Sequence, residues 1–197
     1  MALIRRGNER VLAARLADAN FFFDEDQKIK LEERGRKLTG VTFHHKLGTM
    51  AQKQERVKKL AEALAAHLSP EDEELRQTCI RAASLAKADL LTGVVGEFPE
   101  LQGVMGGEYA KHDGESEAVS QAVREQYLPR AIEGELPTTV AGQVLSLADR
   151  LDTIAAFFHV GMVPTGSEDP FALRRHATAI VRVLLEGQLR VNLGTYI

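Results

Sequence analysis

The 197-residue sequence has no tryptophan, a single cysteine and six prolines, and no apolar run approaches the ~20 residues that a bilayer-spanning helix requires. With only Cys79, an internal disulfide framework is excluded and a reducing compartment is the simpler expectation. Cys79 lies in a helical pattern and reads as core filler. The opening stretch MALIRRGNERVL lacks the apolar segment of a secretory signal. These absences predict a soluble, cytoplasmic chain with no membrane partner. Aromatic platforms for stacking bases are scarce, with eight Phe and three Tyr, and the triplet Phe21-Phe22-Phe23 reads as a core plug rather than a base stacker. Strand-type alternation is nearly missing too, which excludes a sheet-based architecture.

Gly-rich phosphate loops of the P-loop or dinucleotide type are also missing. The segment GVMGGEYA has no preceding strand, so an ATP site is not supported. The six histidines, His44, His45, His67, His112, His159 and His176, are scattered and form no nucleophilic triad with Ser84 or Ser146. Each reads as a surface or half-buried imidazole. The dipeptide His112-Asp113 falls in a Gly-rich stretch and is treated as coincidence.

What is present is an ordinary globular composition, 44% hydrophobic and 27% charged, on a chain long enough to bury the core of one domain. The net charge of -3 hides an asymmetry: residues 1–69 carry 14 Lys/Arg against 9 Asp/Glu, and the remainder 11 against 19. A nucleic-acid-facing surface is therefore expected in the first third, if anywhere. Helical periodicity dominates. Val57, Leu60, Ala61, Leu64 and Leu68 share one face. Ser69 and Pro70 then suit the cap and first position of a second helix running through Ile80, Ala83 and Asp89. A third covers about 116–128 with Val119, Ala122 and Val123 inward. A fourth follows LPTTV, capped by a Thr and carrying Val140, Val144, Leu147, Ala148, Leu151, Ile154, Ala155 and Phe158. The last begins at SEDPFALRR, with Asp169 as cap. A long Gly-rich loop is expected from Gly96 to Glu115. The fold class is thus all-α.

Within SLAKADLLTG, Asp89 is a lone carboxylate in an apolar run, costly to bury without a partner. Together with the later LADRLD, it resembles the helical HD superfamily of metal-dependent phosphohydrolases. That resemblance makes Asp89 the acid of the His-Asp pair and Asp149 the distant acid. It also places Ala88 and Lys53 where the two imidazole ligands belong. Two carboxylates without nitrogen ligands make a poor zinc or iron site. Two readings stay open for Asp89: a degenerate site in which the Lys53 ammonium neutralises Asp89 and Asp149, or a carboxylate that hydrogen-bonds nearby backbone or hydroxyl groups. A weaker metal alternative adds His44 and His45 to Asp89 and Asp149.

A closer resemblance covers residues 7 to about 187. The segments GNERVLAARLADANFFFDEDQK, FHHKLGT, KADLLTGVVGEFPELQGVMGGEYA, LADRLDT and VPTGSEDPFALRR are similar, in the same order, to the β subunit of the bacterial two-subunit glycyl-tRNA synthetases. The resemblance implies a piece of a longer subunit, its HD-like domain, spanning 1–187 with an N-terminal helical arm at 1–20 and a tail at 188–197. It implies tRNA(Gly), the α subunit and the remaining β-subunit domains as partners. Glycine activation with ATP and Mg belongs to the α subunit, so no cofactor and no catalytic residue is expected in this chain. Cations that could reach a tRNA backbone are Lys28, Lys30, Arg34, Arg36, Lys37, Lys46, Arg56, Lys58 and Lys59, joined by Arg174 and Arg175 at the start of the last helix. Those two arginines could instead bond Asp149, Asp152 or Asp169. Other function classes consistent with the sequence are a divergent metal-dependent phosphohydrolase and a purely structural spacer.

Overall fold

The computed structural model describes residues 2–166 and 168–196, with side chains from residue 4 onward. The described residues are predominantly helical, as the periodicity predicts. Helix α1 (Ala2–Asp26) is exposed along most of its length and meets the rest of the molecule through its C-terminal half, from Arg15 onward. There Phe22 packs against the core, while Phe21 stays 60% exposed and Phe23 lies against Tyr109 at 5.9 Å. Only one ring of the expected aromatic plug is therefore inserted. The anchor is instead Asp26, a buried carboxylate that accepts from Gly93 N, Val94 N and the Tyr109 hydroxyl at 2.8–2.9 Å.

Helix α2 (Leu31–Arg36) is short and leads into a hairpin of strands β1 (Thr42–His44) and β2 (Gly48–Thr49), a small antiparallel pair that the helical periodicity did not foreshadow. Thr49 opens α3 (Met50–Leu68) with a capping box: its hydroxyl accepts from Gln52 N and its own N–H reaches the Gln52 side chain. Val57, Ala61 and Leu64 bury the predicted face. Helix α4 (Glu73–Leu85) starts three residues later than the Ser-Pro signal suggests, because Asp72 rather than Ser69 accepts from Leu75 N. It also ends before Asp89. Lys87 takes the left-handed conformation, with φ of 66°, and Asp89 sits in a 3-10 turn at Ala88–Leu91.

The expected Gly96–Glu115 loop is largely structured. Helix α5 (Gly93–Glu97) and a 3-10 turn lead to α6 (Val104–His112). Its two glycines allow close packing on α7 (Glu117–Glu125): a Cβ on Gly107 would lie 2.8 Å from the Arg124 Cβ. Asp113 accepts from Leu31 N at 2.6 Å, which ties the end of α6 to the start of α2.

Helix α8 (Val140–His159), capped by Thr139, runs through the centre and packs on α3, α4, α7 and α9 (Leu173–Glu186). Residues Val144 to Thr153 are all buried, whereas Val140 and Phe158, expected inward, are 44% and 48% exposed. Helix α9 begins three residues after the predicted Pro170. Asp169 still serves its N-terminus, because its carboxylate accepts from Leu173 N at 2.7 Å and Arg174 N at 3.0 Å. Beyond α9, Leu189, Val191, Leu193 and Tyr196 pack against the core.

Candidate functional site

The two acids of LADRLD lie on α8 at i and i+3 and face α3, which presents Lys53 and Arg56 with the same spacing. Lys53 Nζ lies 3.1 Å from Asp149 Oδ1 and 3.0 Å from Asp152 Oδ2, and donates to Thr153 Oγ1 at 2.8 Å and to the Asp149 carbonyl at 3.1 Å. Arg56 reaches Asp152 through Nε at 2.5 Å and Nη2 at 3.2 Å. From the far side, Lys87 Nζ donates to Asp149 Oδ2 at 3.0 Å and lies 3.9 Å from the Tyr127 ring centre. Its left-handed backbone turns this side chain inward after α4 ends. Lys53, Lys87, Asp149 and Asp152 are each under 8% exposed. Burial opposes ionisation of Asp149, yet the ammonium groups of Lys53 and Lys87 outweigh it and hold the carboxyl well below its ordinary range.

Asp89 stands apart from this cluster. Its Oδ2 accepts from Gly103 N at 2.6 Å, its Oδ1 is buried without a hydrogen-bond partner, and burial pushes its carboxyl up from the ordinary value. Lys53 therefore joins Asp149 and Asp152, not Asp89. Of the two readings open for Asp89, the backbone one describes its bonding.

The residues do not fit a divalent metal. Lys53 Nζ occupies the space between the α8 carboxylates, Ala88 offers no donor, and among the described residues no three His, Cys, Asp or Glu side chains converge. His44 and His45 stack on each other at 4.2 Å, and His44 packs against Phe157 and Phe171 at 5.4 and 5.5 Å. An aromatic cluster, rather than Asp89 and Asp149, surrounds them.

Apart from Arg56, which is bonded to Asp152, the candidate backbone-binding cations fall into three groups. Arg34 is withdrawn: its guanidinium binds Asp26 Oδ1 at 3.1 Å and the Leu91 carbonyl at 3.0 Å, and is 12% exposed. Lys28, Arg36 and Lys58 pair with Glu25, Glu32 and Glu55, and Arg174 donates to the Thr165 and Gly166 carbonyls. Lys30, Lys37, Lys46, Lys59 and Arg175 make no ion pair among the described residues. Neither the Arg174 nor the Arg175 guanidinium bonds Asp149, Asp152 or Asp169; Asp169 instead caps α9 through the backbone N–H groups of Leu173 and Arg174. Lys46, Arg56 and Lys59 converge with His159 on an open groove of about 920 Å³ between the hairpin, α3 and α8. Its floor is apolar, formed by Leu47, Leu60, Ala155 and Ala156, and Glu55 and Asp152 also line it.

Two features escaped sequence reasoning. Lys87 is absent from the candidate residues of the sequence, and only its left-handed turn makes it a buried partner of Asp149. Arg150, between the two acids, is 5% exposed and donates to the Tyr127, Pro129 and Ser146 carbonyls at 2.9–3.2 Å. Three charged residues within the four positions 149–152 of a largely apolar helix were the available signal.

Comparison with known proteins places this architecture. Residues 1–197 match the profile of the glycyl-tRNA synthetase beta subunit. Curated relatives named glycine--tRNA ligase beta subunit include those of Citrifermentans bemidjiense, 50% identical over 99% of this chain, Phenylobacterium zucineum, 49% identical over 100% of this chain, and Bacillus subtilis, 50% identical over 93% of this chain. The chain spans only 28%, 29% and 27% of those relatives. A profile matched from end to end, with about half of the residues shared, means that the chain belongs to the glycyl-tRNA synthetase beta subunit family.

Proposed function

We propose that this chain serves glycyl-tRNA aminoacylation as a non-catalytic, HD-like domain of a β subunit, holding tRNA(Gly) and bracing its neighbours in the cytoplasm. The observation that carries the non-catalytic part is Lys53 Nζ, seated 3.1 and 3.0 Å from Asp149 and Asp152 where metal chemistry would need a vacant cation site. A divergent phosphohydrolase would require those carboxylates to be available to a metal, and they are already matched by Lys53, Lys87 and Arg56. ATP and Mg chemistry belongs, in this reading, to an α subunit with which the whole β subunit assembles.

For tRNA, the groove between α3 and α8 is the favoured contact. Lys46 and Lys59 flank it without carboxylate partners among the described residues, so their charge is available to phosphates. A second reading, a brace that never touches RNA, draws on the number of exposed cations already paired with glutamates.

Affinity for tRNA(Gly) and for an unrelated tRNA, measured across a salt series with and without manganese, separates the readings. Salt-sensitive, manganese-independent binding is expected. The double variant Lys46→Gln/Lys59→Gln should weaken it and reduce the salt slope by about 2, one phosphate contact for each charge removed. Binding that is missing at low salt would leave the brace; manganese-dependent hydrolysis of a phosphoester would revive the enzyme.

A further inference from the structure

A second cavity, of about 250 Å³, shares no lining residue with the groove. It lies between the Tyr127–Arg130 loop, α8 and the first turns of α9, and is lined by Tyr127, Arg130, Asp149, Arg150, Arg175 and His176 among others. We propose that this pocket binds a small phosphoryl oxyanion.

Charge balance is the first reason. Arg150 is a buried guanidinium whose partners are neutral oxygens: the Tyr127, Pro129 and Ser146 carbonyls and the Ser146 hydroxyl. Carbonyls satisfy N–H groups but carry no formal charge, so only the Coulombic pull of Asp149 offsets the cost of burying this guanidinium. Arg130 donates only to the Glu100 and Gln102 carbonyls, and Arg175 makes no ion pair among the described residues. The one carboxylate on the lining, Asp149, is already held by Lys53 at 3.1 Å and Lys87 at 3.0 Å. Three guanidinium groups therefore line the pocket against a single lining carboxylate that two ammonium groups already engage.

Unfilled hydrogen-bonding capacity is the second. Arg150 Nε is buried without a partner, and such groups are uncommon unless a ligand or water completes them. Planar guanidinium donors match the tetrahedral oxygens of a phosphoryl group. Volume selects the size. At about 250 Å³ the pocket lies below the usual range of ~300–1,000 Å³ for larger organic ligands. It suits inorganic phosphate, or one phosphate of an ester whose remainder stays outside.

The test uses the chain with inorganic phosphate as the probe, at constant ionic strength set with chloride, read by calorimetric titration and by the NMR signals of the His176 ring. Saturable binding that shifts those signals is expected. Arg175→Gln, at an exposed position of α9, should weaken phosphate at least tenfold while the ligand-free melting temperature holds; Arg130→Gln should do the same from the opposite rim. A short RNA oligonucleotide added to the same sample identifies the source. Competition with phosphate at His176 would mean that the pocket takes a backbone or terminal phosphate of RNA, and RNA binding that leaves His176 unmoved would mean a free small phosphate. No saturable binding at millimolar phosphate, or equal binding by wild type and Arg175→Gln, would overturn the proposal.

Discussion

Asp149 and Asp89 have the same chemical group, near-equal burial and positions within one small region, yet they are held in opposite ways. Asp149 lies between two ammonium groups, and its carboxyl is driven down. Asp89 has one backbone N–H and an orphaned oxygen, and its carboxyl is driven up. Burial is common to both, so the partner decides the sign. A carboxylate in an apolar stretch thus says little about chemistry until the charges that reach it are known. Here those charges come from α3 and from a left-handed turn, both distant in sequence.

The contrast can be broken most forcefully at Lys53. Lys53→Met removes the cation that Asp149 and Asp152 share, and should destabilise the fold by about 3–5 kcal/mol, the usual cost of leaving a buried charge without its partner. Urea unfolding would read this, and a loss under 1 kcal/mol would show that Lys87 and Arg56 suffice. Asp149→Asn should lose about 3 kcal/mol by the same mechanism from the other side. It should also change the acid limb. Because the folded carboxyl titrates below its unfolded value of about 4, its contribution is complete above that pH and is lost as pH falls further. The wild type should therefore weaken below about pH 4 more steeply than Asp149→Asn.

His176 sharpens the comparison over another pH window. Burial, reinforced by Arg150, Lys53 and Lys87 against the pull of Asp149, lowers its imidazole to about 4. The folded state therefore refuses a proton that the unfolded state accepts below about 6.5, and stability should decline gently between those values as pH falls. His176→Gln should flatten that decline in melting curves. The smallest effect is expected at Asp89. Asp89→Asn keeps the acceptor for Gly103 N and removes a charge that burial penalises, so stability should stay within about 1 kcal/mol of wild type. A loss matching that of Asp149→Asn would mean that the Asp89 charge has a partner after all.

Elements whose apolar residues recur regularly were legible in the sequence: α3, α7 and the inner face of α8 follow the helical pattern. Helix α6 was hidden because Gly106 and Gly107 read as loop residues, whereas they permit close packing on α7. Ser69-Pro70 imitated a helix start, but the acid two residues further on made the actual cap. The candidate site divided similarly. Asp149 and Lys53 could be paired only through the resemblance to the HD superfamily, which places both at ligand positions of one site. Lys87, Arg150 and the anchoring role of Asp26 depend on where turns deliver side chains from remote segments, and no local pattern encodes that.

The Lys53 ammonium has one property that no bound ion shares: it is attached to the chain. A helix pair joined through a dissociable metal is only as firm as the supply of that metal. Helices α3 and α8 are joined by a cation made with the polypeptide itself, at a fixed stoichiometry of one per molecule. Their junction should be indifferent to chelators and to changing divalent-ion levels.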